Sequence, residues 1–351
     1  MSTADTRKVT SATAIRTKVK TSVVILNWNT TGYLEKFVPG ILKSLEGMDA
    51  ELVVADNAST DGSMQMMESK FPNVKRIILD KNYGFTGGYN KALAQLDSEY
   101  FVLLNSDIEV PEGWLQPLVE TLDNNPEVGA CAPKLHSWYE RNKFEYAGAA
   151  GGYIDCFGFP LCRGRIMQML ETDEGQYDTP SDVFWATGAC LMIRRSLYNM
   201  LGGLDDRFFA HMEEIDFCWR LCSRGHRLVC LPASRVYHLG GGALHYESPR
   251  KTYLNFRNNL LMLYKNLPAS RLWWVMAVRW GLDYVAALQL LLTGKPKNAL
   301  AALQARWDYH RMKPSMRPKR QENIRKMVVP FPPTIIRRSI IFDYYLRQKR
   351  Q

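Results

Sequence analysis

Val23-Val24-Ile25-Leu26-Asn27 is a run of four apolar residues closed by an amide. A run this short, without polar alternation, matches a strand buried on both faces, as in parallel sheets covered by helices. Leu34, Phe37, Val38, Ile41, Leu42 and Leu45 then recur at helical spacing, which predicts a helix. Working outward, residues 51–55 predict a second strand, 63–69 a helix, 74–79 a strand and 86–96 a helix. Residues 100–104 predict a fourth strand, ending in Asn105-Ser106-Asp107. Such alternation implies an α/β, doubly wound sheet whose site lies at the carboxyl ends of its strands, where each polar cluster of this half falls.

Further along, residues 147–180 turn Gly-rich and irregular, a length that in a compact domain usually serves function. Residues 184–194, containing Thr187-Gly188-Ala189, predict a strand. Residues 213–223 predict a helix that stops at Gly225, and residues 227–231 a late strand. Residues 254–267 and 272–292 are strongly apolar, but Arg279, Gly281 and Asp283 interrupt the second stretch. With a hydrocarbon core needing about 20 apolar residues, an interfacial helix and an ordinary buried helix both fit it better than a clean span.

The 351 residues, 46% of them hydrophobic, can bury a large core, which excludes disorder throughout. Residues 271–351 hold 17 basic and 4 acidic residues, a net +13, so the first 270 carry −3 of the overall +10. A basic C-terminal part suits an anionic membrane surface or a phosphate-bearing lipid, and a merely solvated basic tail equally. No nucleic-acid-binding motif accompanies it, so nucleic acid is not an expected partner. Seven cysteines form no CxxC pair, consistent with reduced thiols in a cytoplasmic compartment. Residues 1–20 are polar and basic without an apolar core, which predicts a disordered leader.

Asp56-Asn57-Ala58-Ser59-Thr60-Asp61-Gly62-Ser63 follows the second strand and opens a helix, suiting either capping or a contact to a base or ribose. Asn82-Tyr83-Gly84-Phe85-Thr86-Gly87-Gly88-Tyr89-Asn90 is a turn whose glycines let backbone approach a phosphate or ribose. Asp107, at a strand end, is either a turn residue or a ligand for a hard divalent cation bridging a diphosphate. Glu213, Glu214 and Asp216 crowd one helix start, where repulsion raises a carboxylate toward a general base's range, although a helix dipole also favours acids there. His238, after the late strand and before a glycine run, is either structural or a second ligand beside Asp107.

In these residues the chain resembles family 2 inverting glycosyltransferases of GT-A fold, especially bacterial rhamnosyltransferases of cell-surface polysaccharide assembly. The motifs are Val24-Ile25-Leu26-Asn27-Trp28-Asn29, the 56–63 segment, and Asn82-Tyr83-Gly84-Phe85 with Gly88 and Asn90. The resemblance spans roughly residues 20–265. It implies a GT-A type doubly wound mixed sheet flanked by helices over 21–265, with a basic, helical C-terminal extension over 266–351. It also implies that Asn27, Asn29, Asp56 and Asn57 contact the nucleoside, with Asn82 and Gly84 in the turn lining the nucleotide pocket. Asn105-Ser106-Asp107 takes the place of the family's DXD, Asn105 standing for its first Asp beside the nucleotide. Asp107 and His238 would hold Mg2+ or Mn2+. Glu213-Glu214-Ile215-Asp216 resembles the Glu-Asp-x-Asp motif, making Glu214 the general base and Glu213 its reserve.

The expected reaction is a single in-line displacement, moving a sugar from a nucleoside-diphosphate sugar, dTDP-rhamnose by preference, to a glycan or polyprenyl-diphosphate-linked hydroxyl. It needs a metal-stabilised leaving group, an acceptor held in line and a base within hydrogen-bond reach. Residues 151–180, with Arg163 and Arg165, are the expected lid. Two competitors are a sugar nucleotidyltransferase, which wants a basic loop after the first strand where residues 27–33 supply no Lys or Arg, and a peripheral membrane scaffold with a degenerate nucleotide pocket.

Overall fold

The computed structural model describes residues 19–146, 148–166, 169–240 and 248–346. The leader expected over residues 1–20 lies almost wholly outside the described residues, as do Gly241 and Gly242 of the glycine run. The chain enters its main sheet with β1 (Thr21–Asn27), α1 (Thr31–Ser44), β2 (Ala50–Asp56), α2 (Ser63–Lys70), β3 (Lys75–Ile78), α3 (Gly84–Leu93) and β4 (Tyr100–Leu104). β1 lies between β2 and β4, parallel to both, and β2 carries β3 in parallel. Val23 and Ile25 pack into one core layer and Val24 into the other, all fully buried. That is why this strand shows no polar alternation.

β5 (Ile108–Glu109), α4 (Gln116–Asn124) and β6 (Val128–Ser137) follow. Then come β7 (Gly152–Asp155), β8 (Pro160–Cys162), β9 (Arg165–Ile166), β10 (Met169–Leu170), β11 (Ser181–Asp182), β12 (Cys190–Arg194), α5 (Arg195–Met200), α6 (Glu213–Ser223) and β13 (Arg227–His238). The main sheet runs β11-β13-β6-β12-β4-β1-β2-β3, with β5 on β13. β12 is antiparallel to β4 and β6, and β13 is parallel to β6. β12, β11 and β5 run against the others and make the sheet mixed, while β1, β2, β3, β4, β6 and β13 share a direction. α1, α2 and α4 cover one face; α3, α5 and α6 cover the other.

Three stretches depart from the local patterns. The strand expected over 184–194 starts only at Cys190, because Ala189 N–H turns onto the Thr187 hydroxyl at 3.2 Å. The late strand passes Pro232 and continues to His238 through a bulge between Leu231 and Arg235, where the Ser234 hydroxyl donates to the Trp114 carbonyl at 2.6 Å. Residues 152–170, read as irregular, form short strands of a second sheet ordered β10-β9-β8-β7-β14.

The C-terminal part comprises α7 (Pro249–Asn266), α8 (Ala269–Leu292), α9 (Pro296–Arg325), β14 (Ile335–Ile336) and α10 (Ile340–Leu346). β14 pairs with β7 in parallel. After α9 the amides of Val328 and Val329 donate to the Ser223 carbonyl at the end of α6, at 2.8 and 2.9 Å. The C-terminal helices are thereby built onto the sheet-bearing part of the chain.

Candidate active site

The polar residues that end β1 and β2 form one hydrogen-bonded knot. Asn27 Nδ2 donates to Asp56 Oδ1 and to the Ser59 and Ser63 hydroxyls, at 2.9, 2.9 and 2.8 Å, and Thr30 Oγ1 donates to Asn27 Oδ1 at 2.5 Å. Its side chain is committed to orienting Asp56. Asn29, at φ 55°, accepts from the Thr60 amide at 2.7 Å and closes the loop from the other side. Asp61 Oδ2 takes the Thr31 amide and its Oδ1 the Ser63 amide and hydroxyl, tying together the starts of α1 and α2. Burial works against this carboxylate's charge, but these donors prevail and lower its pKa to about 2. The capping and ligand readings of residues 56–63 thus divide by position: Asp61 caps, while Asp56 sits buried at the strand end.

Asn57 joins this knot to the glycine turn. Its Nδ2 donates to Asn82 Oδ1 at 3.1 Å and the Gly84 carbonyl at 3.0 Å, and its Oδ1 accepts the Tyr83 amide at 2.9 Å. Gly84 has φ +70°, and a Cβ there would lie 2.6 Å from the Phe209 ring, so only glycine fits. The Phe209 carbonyl in turn accepts the Phe85 amide at 3.0 Å. Asn90 faces away from this turn, bonding Leu204, Asp206 and the Tyr198 hydroxyl.

At the end of β4, Asn105 N–H donates to the Ala189 carbonyl at 2.9 Å, setting the 187–189 loop beside the site. Asp107 is buried, and its Oδ1 lies 3.2 Å from His238 Nε2. The other imidazole nitrogen, Nδ1, lies 3.2 Å from Glu145 Oε1, a residue that local spacing did not single out. Burial disfavours charge on His238, yet the two carboxylates outweigh it and hold the imidazole up to about 10. The spot therefore favours positive charge. An aspartate and a histidine side by side, with a second carboxylate behind the imidazole, are a donor set that would suit a hard divalent cation. Among the described residues no cluster of three or more potential ligands replaces this pair.

α6 ends at Ser223 and β13 begins at Arg227, so α6 runs opposite to β13 and its N-terminus returns to the carboxyl edge of the sheet. The turn before it is strained: Phe209, His211 and Met212 have φ of 65°, 68° and 71° without being glycine. Asn258 of α7, fully buried, holds that turn by donating to the Phe208, Ala210 and His211 carbonyls at 3.0, 2.8 and 2.7 Å. Arg257 adds bonds to the Arg207 and Phe208 carbonyls. Asn258 and Asn259 were visible as amides inside an apolar repeat, though nothing local said what they meet.

Glu213 is buried and its chain neighbour Glu214 half-buried. Burial, then the neighbouring Glu214 charge, pushes Glu213 well above the usual carboxylate range, and burial raises Glu214 to about 7. Asp216, the third acid of the cluster, turns inward instead. It accepts from Lys265 Nζ at 2.6 Å, Asn266 Nδ2 at 2.8 Å and Arg220 Nε at 3.0 Å, while Lys265 and Lys319 both reach Asp205 at 2.8 Å. The crowding of three acids is resolved by sending one of them into a compensated ionic core. Arg163 and Arg165 of the expected lid engage their own hairpin, stacking on Tyr177 and Tyr146, and Arg163 Nε donates to the Ala150 carbonyl at 2.8 Å.

Comparison with known proteins gives the family and the fold. A family model described as glycosyl transferase family 2 matches residues 22–202. An N-acetylglucosaminyl-diphospho-decaprenol L-rhamnosyltransferase of Mycobacterium tuberculosis is 24% identical over 282 residues, covering 76% of this chain and 90% of that protein. The GalNAc-T7 structure with UDP, GalNAc and Mn2+ superposes with a TM-score of 0.56 at 16% identity, covering 84% of this chain and 55% of that one. A mannosyltransferase of Pyrobaculum calidifontis, solved with GDP-Man and Mn2+, gives 0.51 at 16% identity and covers 88% and 87%. These likenesses establish the GT-A fold.

Proposed function

Because the chain belongs to glycosyl transferase family 2, we propose that it is an inverting, divalent-cation-assisted transferase. In this proposal it moves a hexosyl group, rhamnose from dTDP-rhamnose by preference, onto a hydroxyl of a polyprenyl-diphosphate-linked glycan at the cytoplasmic face of a membrane. The observation that carries it is the acidic start of α6, where the buried Glu213 and the half-buried Glu214 stand side by side on a turn pinned by Asn258. Burial raises both carboxyls, Glu214 to about 7, so Glu214 is the general base and can take the acceptor's proton as the oxygen attacks the anomeric carbon. With no carboxylate needed as nucleophile, one displacement inverts that carbon.

Asp56, Asn57 and the Asn82–Gly84 turn form the nucleoside and ribose side of the pocket, with Asn27 and Asn29 bracing Asp56 and Asn105 closing against the 187–189 loop. Asp107 and His238 would hold Mg2+ or Mn2+, with Glu145 orienting the imidazole. When bound, the cation supplies charge stabilisation for the departing diphosphate. The mycobacterial relative, named for a decaprenol-linked acceptor, and the seven free thiols, which suit a reducing compartment, support the acceptor and its location. The test is a nucleotide-sugar panel with an N-acetylglucosaminyl-diphospho-polyprenol acceptor, with Mn2+ or with chelator, following diphosphate release and the product's anomeric configuration. A retained configuration, or turnover indifferent to chelation, would overturn the mechanism.

A further inference from the structure

α8 is built inside out. A helix on a water-exposed surface turns its apolar stripe inward and its charges outward. Here, past Arg271 in the first turn, the charged residues of α8 are Arg279 and Asp283, and both are buried. Arg279 pairs with Asp283 at 3.1 Å, donates to the Phe157 carbonyl at 3.1 Å and bonds Asn259 Oδ1; Arg306 of α9 reaches Asp283 at 3.0 Å. The outward face carries Trp273, Trp274, Trp280, Leu288 and Leu292, and α9 extends it with Trp307. Trp273 is 71% exposed, Trp307 68% and Leu292 77%. A contiguous aromatic and aliphatic face of this size is covered by something apolar in the working protein.

We propose that the outward face of α8, continued by α9, lies in the interfacial layer of an anionic bilayer. Tryptophan and tyrosine favour the headgroup level, where the ring is apolar and its polar edge stays wet. The face is bordered by cations, Arg271 at one end, Lys295 and Lys297 at the other, and exposed Arg311 and Arg317 along α9, within a segment of net +13. That rim is complementary to anionic headgroups. α8 lies in the plane of the layer: turning it to span would draw Arg279 and Asp283 away from Asn259, Phe157 and Arg306 into hydrocarbon. Asn259, which bonds Arg279, also contacts the Met212 sulfur at 3.9 Å, next to Glu213. One helix layer thus separates the bilayer face from the base pair, which is where an acceptor anchored by its lipid presents its head group. Only this last consequence rests on the proposed acceptor.

The test is co-sedimentation of the full chain with phosphatidylcholine vesicles, with and without phosphatidylglycerol. The comparison is a Trp273→Ser, Trp280→Ser, Leu288→Ser variant, whose changes lie at exposed positions. The wild type is expected to bind the anionic vesicles in a salt-sensitive way, and the variant to bind roughly a hundredfold more weakly. The variant's thermal unfolding and its diphosphate release in solution should match the wild type, which separates failure of this face from failure of the active-site assignment. Equal binding by both proteins, or none by the wild type, would overturn the proposal. So would a wild-type dimer that the substitutions dissolve without any vesicle binding, since a second copy would then be what covers the face.

Discussion

Asn258→Leu removes the one amide that gathers three carbonyls of the turn leading into α6. The Phe208 carbonyl keeps Arg257, which leaves the Ala210 and His211 carbonyls without this partner. At about 0.5–1.5 kcal/mol for each of these two part-buried hydrogen bonds, the loss is roughly 1–3 kcal/mol. The turn also holds three non-glycine residues at positive φ, each costing on the order of 1–3 kcal/mol, so it relaxes once the amide is gone. Glu214 follows Met212 by two residues and moves with it. A displacement near 1 Å at a reacting group costs about a hundredfold in turnover. The assay measures kcat and KM separately on the best sugar nucleotide of the panel, with urea unfolding alongside. The expected outcome is a kcat about a hundredfold lower, a donor KM within a few-fold of wild type, and a stability loss within the range above. An unchanged kcat accompanied by that stability loss would show that Asn258 only supports the fold, and would refute a positioning role.

Glu214→Gln is expected to keep donor binding while kcat falls by about 10²–10⁴. In the wild type, kcat/KM should drop tenfold per unit below about pH 7, because the base works ionised and its pKa is raised to about 7. The same shift has a stability consequence. The folded state binds more protons than the unfolded chain between the ordinary glutamate range and 7, so wild-type stability declines as pH rises through that window. Glu214→Gln should therefore unfold later than wild type at pH 8 and close to it at pH 5; no gain at pH 8 would contradict burial as the cause. Asp107→Ala should abolish the stimulation of diphosphate release by Mn2+, and isothermal titration of Mn2+ with nucleoside diphosphate should lose its metal-dependent heat. Lys265→Met leaves Asp205 and Asp216 short of a buried cation and should destabilise by about 3–5 kcal/mol in urea unfolding, and a change under 1 kcal/mol would mean that Arg220 and Lys319 suffice.

Local pattern carried the first half of the fold because parallel strands buried on both faces are uniformly apolar and the helices between them repeat at helical spacing. The same pattern located Asp56, the glycine turn, Asp107, Glu214 and His238 at strand or helix ends, and so placed them along one edge once the strands were parallel. It could not continue through Pro232, because a bulge in β13 is stabilised by Ser234 reaching Trp114, 120 residues away in the chain. Nor could it resolve residues 152–170, whose strands are completed by β14 from the far end of the chain.

The amino-acid sequence by itself determined the alternation of strands and helices, the family and the set of residues gathered at the carboxyl edge, since these depend on neighbours a few positions apart. Tertiary structure alone decided that Asp216 turns into an ionic core while Glu214 stays half-buried at the start of α6, that Glu145 stands behind His238, and that α8 buries Arg279 and Asp283 and shows its tryptophans. Each of those outcomes is a choice between water and a distant partner, and the free energy of that choice exists only after the chain has brought the partner close.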